Sequence, residues 1–168
     1  MNDNERKLIL ELGIERITEQ EFLEEFTVNI KSNPDYVEEL LNCAYNEKSS
    51  DDVDYALTVA YKFNLITEKY VDIFCKLLDS DWHYKHEDIV RSLQKLKSEK
   101  AVDVLYKTAL TKFEYLDYDN SYSLARKCMW ALGDINTDEA IAKLKLLSES
   151  EDEEIKEYAM EQFNREKV

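Results

Sequence analysis

The densest cluster of chemistry-bearing side chains in this chain is Trp82-His83-Tyr84-Lys85-His86-Glu87-Asp88. Imidazoles and carboxylates this close together could ligate a metal or move a proton. A catalytic zinc site takes three protein ligands and keeps a position open, and its usual helical form sets two histidines at i and i+4. Here His83 and His86 stand at i and i+3, at the expected start of a helix, and the 168 residues contain no other histidine. Glu87 and Asp88 suit the first turn of a helix, where the dipole favours negative charge. The cluster therefore reads as helix capping and packing, with no metal site.

Nucleophilic chemistry finds no better foothold. Cys43, Cys75 and Cys128 are an odd, scattered set among apolar helical positions, which reads as reduced core thiols. The two isolated glycines, Gly13 and Gly133, can build neither a strained elbow around a Ser or Cys nor a phosphate-cradling loop. Carboxylate pairs abound, but at this charge density on helices they read as solvated faces rather than acid–base pairs. The chain is read as a non-enzyme, with no catalytic residue, cofactor or metal.

The elements that carry these residues are expected to be helices. Sheet-rich folds need many tight turns built on Gly, Asn-Gly or Pro, and here Gly13, Gly133 and Pro34 are all the punctuation there is. With 44% hydrophobic and 35% charged residues, the composition suits one soluble folded domain that needs no disulfide or metal staple. The opening MNDNERKLIL carries no apolar leader, and no run is long enough to span a membrane. Together with the thiols, this points to the cytoplasm.

The net charge of −15 is unevenly spread. Residues 1–54 carry 15 acids against 5 bases and residues 134–168 carry 11 against 5, whereas 55–133 hold 11 acids and 12 bases. Such a chain repels phosphates and attracts basic partners, so no nucleic-acid role is expected.

A repeat organises the helices. Leu124, Cys128 and Ala131 have counterparts in Ile89, Leu93 and Leu96, in Val53, Leu57 and Ala60, and in Ile155, Ala159 and Gln162. The spacings are 36, 35 and 31 residues, in the range of helical-hairpin repeats. Between them run second amphipathic stripes: Tyr70-Val71-Phe74-Leu77-Leu78, Ala101-Val104-Leu105-Ala109 and Ala140-Ile141-Leu144-Leu147. The segment LARKCMWALG, followed by DINTDEAIAKLKLL, resembles a HEAT repeat of the bilin-lyase type. The resemblance covers about 50–168 and is weaker over 1–49. Its departures are Val90, Ala125 and Lys156 where an Arg is usual, and an Ala-Leu-Gly ending that occurs once.

That resemblance implies an all-α fold, a right-handed α–α superhelix formed as a short solenoid of HEAT-like hairpins. The expected layout is a single domain over 1–168: an N-terminal cap and divergent pair over 1–49, repeats over 50–150, and a C-terminal capping helix over 151–168. Helices are predicted over 4–16, 18–31 and 35–46 in the divergent part. HEAT-like folds include DNA glycosylases for alkylated bases, but those engage DNA through a basic groove, which an acidic chain does not supply. Small acidic proteins of this style resemble bacterial immunity and adaptor proteins.

In a solenoid the links from second to first helices share one edge. These links, 46–52, 79–85, 114–121 and 148–152, gather Glu47, Asp51, Asp52, Asp79, Asp81, Glu114, Asp117, Asp119, Glu149, Glu151 and Asp152. Asp51, Asp52, Asp119 and Asp152 are expected to be N-caps. The middle links add aromatics, of which Trp82 and Tyr122 are expected in the core. The predicted partner-binding residues are Asp79, Asp81, Trp82, His83, Tyr84, Glu114, Tyr115, Asp117, Tyr118 and Asp119, because tyrosine and tryptophan beside charge are common at interface hot spots. The expected partner is a basic protein, a secreted toxin domain being one class, which makes this an immunity protein. Two alternatives stand beside it: a scaffold taking a peptide or helix in a concave groove lined by Glu38, Asn42, Asp72, Lys76, Asp103, Lys107 and Lys143, and a HEAT-fold enzyme of the bilin-lyase type. No membrane partner is expected, and the oligomeric state is open.

Overall fold

The computed structural model describes residues 1–116 and 122–165, and they are all-helical, with no strand among them. In chain order the helices are α1 (Asp3–Gly13), α2 (Glu19–Glu25), α3 (Tyr36–Glu47), α4 (Ser50–Lys62) and α5 (Val71–Leu78). There follow α6 (His86–Leu96), α7 (Val102–Leu110), α8 (Ser123–Ile135), α9 (Asp138–Ser148) and α10 (Glu153–Phe163).

Side-chain caps set many of the starts. Asn2 accepts from the Glu5 amide at 2.9 Å while the Glu5 carboxylate accepts from the Asn2 amide at 3.0 Å, a reciprocal capping box. Thr18 and Glu21 repeat it at α2, and those hydrogen bonds from Thr18 hold the Glu21 carboxyl below its usual range. Ser49, Thr137 and Asp152 cap α4, α9 and α10. Asp51 and Asp52, expected as caps, instead lie inside the first turn of α4, because Ser49 takes the cap itself.

Three helix ends do without the usual glycine. Lys48, Lys97 and Asn136 close α3, α6 and α8 in the left-handed region, with φ of 52°, 53° and 57°. A Cβ is strained there, more for Lys than for Asn. Lys48→Gly or Lys97→Gly should therefore stabilise the protein by about 0.5–1 kcal/mol, after the extra freedom of the unfolded chain is subtracted. A rise in the urea midpoint at unchanged slope would show it; a fall would mean that the lysine stem contributes more than its backbone costs.

The chain divides into two compact units, residues 1–73 and 74–168, with the boundary inside α5. In the first, α4 packs against α1 and α3, and α1 also meets α2. Ile9, Leu12, Phe22, Val37, Leu41 and Leu57 form its fully buried centre. The helix predicted over 18–31 stops at Glu25: Phe26 turns to extended backbone, and the Asn29 side chain accepts from the amides of Lys31 and Ser32. An Asx turn of this kind offers the backbone hydrogen bonds that compete with a helix, and the β-branched Thr27 and Val28 do not resist it. Phe26 and Ile30 still reach the core, so the apolar spacing is met by a turn rather than a helix.

In the second unit α6, α8 and α10 lie side by side, and α7 and α9 pack on them and on each other. First and second helices of successive hairpins thus form two layers, the solenoid-like arrangement in which each hairpin buries its apolar stripe against its neighbours. All twelve template positions are on first helices, and every one except Leu96 is buried. Gly133 shows why the Ala-Leu-Gly ending suits this packing. A Cβ there would stand 3.0 Å from the Gln162 side-chain oxygen on α10, so the glycine lets α8 and α10 approach.

Candidate functional site

The 79–85 link begins where α5 ends and finishes as α6 begins. Its centre is built from histidine. His83 and His86 are fully buried, and their rings stack with centroids 4.2 Å apart and planes 16° apart. The His83 Nε2 lies 2.8 Å from the Leu77 carbonyl, and its Nδ1 accepts from the Lys85 amide at 3.1 Å. The His86 Nε2 lies 2.7 Å from the Ser80 carbonyl, and its Nδ1 lies 2.7 Å from the Tyr115 hydroxyl. A backbone amide only donates and a carbonyl only accepts, so His83 is the neutral tautomer protonated at Nε2. The same carbonyl logic puts the His86 proton on Nε2 and leaves Tyr115 as donor.

Burial lowers the proton affinity of both rings, and for His86, which also feels His83, the pKa falls to about 4. Burial pushes the Tyr115 phenol up to about 12, so it keeps its proton. Phe113 closes the stack from the far side, 3.9 Å from the His86 ring centroid. Trp82–Asp88 thus serves packing and not side-chain capping, since Lys85, at the cap position of α6, makes no side-chain cap hydrogen bond: the imidazoles tie the link to α5 and to the 3-10 turn Glu114–Leu116. Among the described residues no group of His, Cys, Asp or Glu is arranged to hold a metal ion.

Above this centre sits the surface. Tyr84 is 66% exposed, and its ring meets that of Tyr115 edge-on at 5.1 Å. Asp79, Asp81 and Glu114 are exposed around the pair. Trp82 is partly buried, edge-on to His83 at 5.3 Å, and Tyr122 is partly buried as well, so neither enters the core fully as expected. His83 belongs under the surface rather than on it: it has no exposed atoms to offer, and both ring nitrogens are engaged. Asp117, Tyr118 and Asp119 lie outside the described residues.

The third link of this unit is tied in as well. The Tyr122 hydroxyl donates to Asp152 at 2.8 Å, and that bond holds the Asp152 carboxyl below its usual range. Glu149 and Glu151 beside it are exposed. Thus the links after α5, α7 and α9 are joined by side-chain contacts: Tyr84–Tyr115 between the first two, Tyr122–Asp152 to the third. The remaining acids of the predicted ridge belong to the other unit, and one of them is not a surface group. Asp52 is 1% exposed and takes two hydrogen bonds from Arg6, at 2.8 and 2.9 Å.

Beneath the first turn of α6, Glu87 accepts from Ser123 and from Lys127, both at 2.6 Å. Burial raises the Glu87 carboxyl, but these two hydrogen bonds together outweigh it and hold the group ionised. On the second helices, Lys143 pairs with Asp103 at 2.7 Å and lies over the Tyr106 ring. The expected groove charges in this unit therefore partly cancel one another. Sequence reasoning missed one cluster: Arg126 lies 5.0 Å from the Trp130 ring centroid and 5.4 Å from that of Tyr158. The i, i+4 spacing of Arg126 and Trp130 was its available signal.

A pocket of about 60 Å³ lies between Leu110, Phe113, Leu116, Tyr122 and Ile155. That is far short of the roughly 300 Å³ at which small-molecule sites begin. No helix among the described residues is long and apolar enough to cross a membrane.

Residues 124–150, which span α8 and α9, match the family model of the PBS lyase HEAT-like repeat. The α8–α9 hairpin is similar to a HEAT-like repeat. No curated protein and no solved structure matches the chain. The HEAT-like match covers the LARKCMWALG segment and the second helix after it, and the packing of α6 and α7 on α8 and of α10 against α8 and α9 extends the same pattern on either side. HEAT-like repeats generally mediate protein–protein contacts, and helical-repeat folds of this kind are usually scaffolds rather than enzymes.

Proposed function

We propose that this protein is a non-enzymatic, cytoplasmic interaction module that takes a basic protein partner on the link edge of its second unit. The observation that carries the reading is the Tyr84–Tyr115 ring pair, whose Tyr115 is hydrogen-bonded to buried His86 and which is framed by exposed Asp79, Asp81 and Glu114. Rigid tyrosines lose little entropy on binding and supply contact area, while surrounding carboxylates steer a basic partner to them. With a net charge of −15, the class of partner that fits best is a secreted toxin domain with a basic cleft, which makes the protein an immunity protein. The groove reading is less favoured because Asp103 and Lys143 are already paired.

The test is co-expression with a basic toxin domain encoded beside this protein, with growth rescue and association rate as readouts. The triple variant Asp79→Lys, Asp81→Lys, Glu114→Lys should slow association by roughly 10- to 1,000-fold and abolish rescue, with a steep dependence on salt in the parent protein. If the triple variant still binds and rescues while Lys107→Glu does not, the partner sits in the groove and the edge reading fails.

A further inference from the structure

The proposed contact surface rests on two imidazoles that it does not itself present. Both are fully buried, they face each other at stacking distance, and all four ring nitrogens meet neutral groups: two carbonyls, one backbone amide and one phenol. We propose that His83 and His86 form an acid-operated latch that holds the 79–85 link closed at neutral pH and releases it, with the Tyr84–Tyr115 pair, when either ring takes a proton. As a control on binding, the latch rests on the reading of this edge as the contact surface.

The geometry offers a second proton no acceptor on His83, and on His86 only a hydroxyl that must first turn its own proton away. On His83 a proton at Nδ1 would point at the Lys85 N–H, donor against donor. On His86 a proton at Nδ1 would force Tyr115 to turn its hydroxyl and would press an imidazolium face against a buried neighbouring ring. The charges about the pair do not rescue it. Asp81 in the link is the carboxylate whose field favours a charged His86, but it is exposed to solvent and hydrogen-bonds neither ring. Lys85 in the link opposes it in sign. Asp79, at the end of α5, and Glu114, on the 3-10 turn, are exposed. On α6, Glu87 is committed to Lys127 and Ser123, while Asp88 acts on Tyr115 only at a distance.

The sign follows from linkage. A histidine whose proton affinity is lowered in the closed state contributes fully above its ordinary pKa of about 6.5, and that contribution is lost as pH falls toward the closed-state value. For His86, lowered to about 4, one ring alone should shift the opening equilibrium about 30-fold between pH 7.5 and pH 5. Carboxylate titration takes over only below this window.

The experiment uses the full isotopically labelled chain without a partner. Imidazole nitrogen spectra should show both rings protonated at Nε2 at pH 7.5. Exchange of the Lys85 amide, corrected for its intrinsic pH dependence, should lose about 30-fold or more of its protection by pH 5, while the Met129 amide inside α8 keeps its own. In His86→Gln, whose side-chain amide can still donate to the Ser80 carbonyl, the pH step should shrink. If that variant does not fold, the wild-type ring spectra and Lys85 profile decide alone. A Lys85 profile that is flat between pH 7.5 and 5 overturns the latch, as does a pair of rings that titrate at the ordinary value. Charge reversal at Asp79, Asp81 and Glu114, read at pH 7.5, tests the surface separately. A flat profile with reversal-sensitive binding removes the latch and keeps the surface; the opposite result removes the surface and keeps the latch.

Discussion

Arg6→Ala should lower stability by about 3–5 kcal/mol, and by more than Asp52→Ala does. The two residues share one ion pair, with Arg6 Nε and Nη2 bonded to the two Asp52 oxygens at 2.8 and 2.9 Å. Their surroundings differ, however. The Arg6 side chain is 36% exposed and can turn to water when its partner is removed, whereas Asp52 at 1% cannot. Removing the arginine leaves a buried carboxylate with only the Met1 ammonium, 3.8 Å away, to oppose its charge, whereas removing the carboxylate leaves a half-exposed cation still bonded to Asp3 at 3.0 Å. Urea unfolding of both variants at pH 7 checks the order. Equal losses would mean that packing of the side chains, rather than burial of the charge, sets the cost.

Acid should act on the same pair in a defined direction. The hydrogen bond from Arg6, opposed by burial, holds the Asp52 carboxyl below its ordinary value. Its contribution is thus complete above about pH 4 and is lost as pH falls through the lowered folded value. In Arg6→Ala that loss should begin at higher pH, because burial is then the dominant influence and favours the neutral acid.

Phe22→Ala should cost about 3–5 kcal/mol, while Phe22→Leu should cost less than about 1.5. Phe22 is fully buried and stacks on Phe26 at 4.6 Å and Phe63 at 5.5 Å. It is also the buried side chain of α2, a helix of 7 residues. A helix that short has no standing of its own in water, so its order depends on this anchor. Calorimetry with far-ultraviolet dichroism reads both the lost stability and the lost helix. An alanine variant that loses less than 1.5 kcal/mol would mean that the capping box at Thr18 and Glu21 holds α2 in place without the ring.

Much of this fold is legible in the chain itself. The spacing of Ile89-Leu93, Leu124-Cys128 and Ile155-Ala159 places those residues on one face of successive helices, and all of them are buried in the structure. Helical periodicity is a local property, carried by residues three and four apart, so it survives without knowledge of the partner surface. The end of α2 was less legible, because an apolar spacing that continues to Phe26 and Ile30 is satisfied equally by a helix or by the Asn29 turn. The candidate edge was legible as a set of links but not as a surface. Composition alone could not show that Tyr84 faces water while His83 faces inward.

What the sequence by itself determined is the all-helical hairpin pattern, the HEAT-like stretch around Leu124–Gly133, the strong acidity and the want of any metal or nucleophile motif. Each rests on local spacing or on simple counting. Only the tertiary structure decided which charges are surface charges. Asp52 is one acid among many in the sequence, and only Arg6, 46 positions away in the chain, makes it a buried, paired one. His86 stands at the head of a helix in the sequence, and only its contact with Tyr115, 29 positions on, makes it a packing residue. Burial and pairing are made by segments distant in sequence, and for that reason the chemistry of the Trp82–Asp88 cluster became clear only when the fold had closed around it.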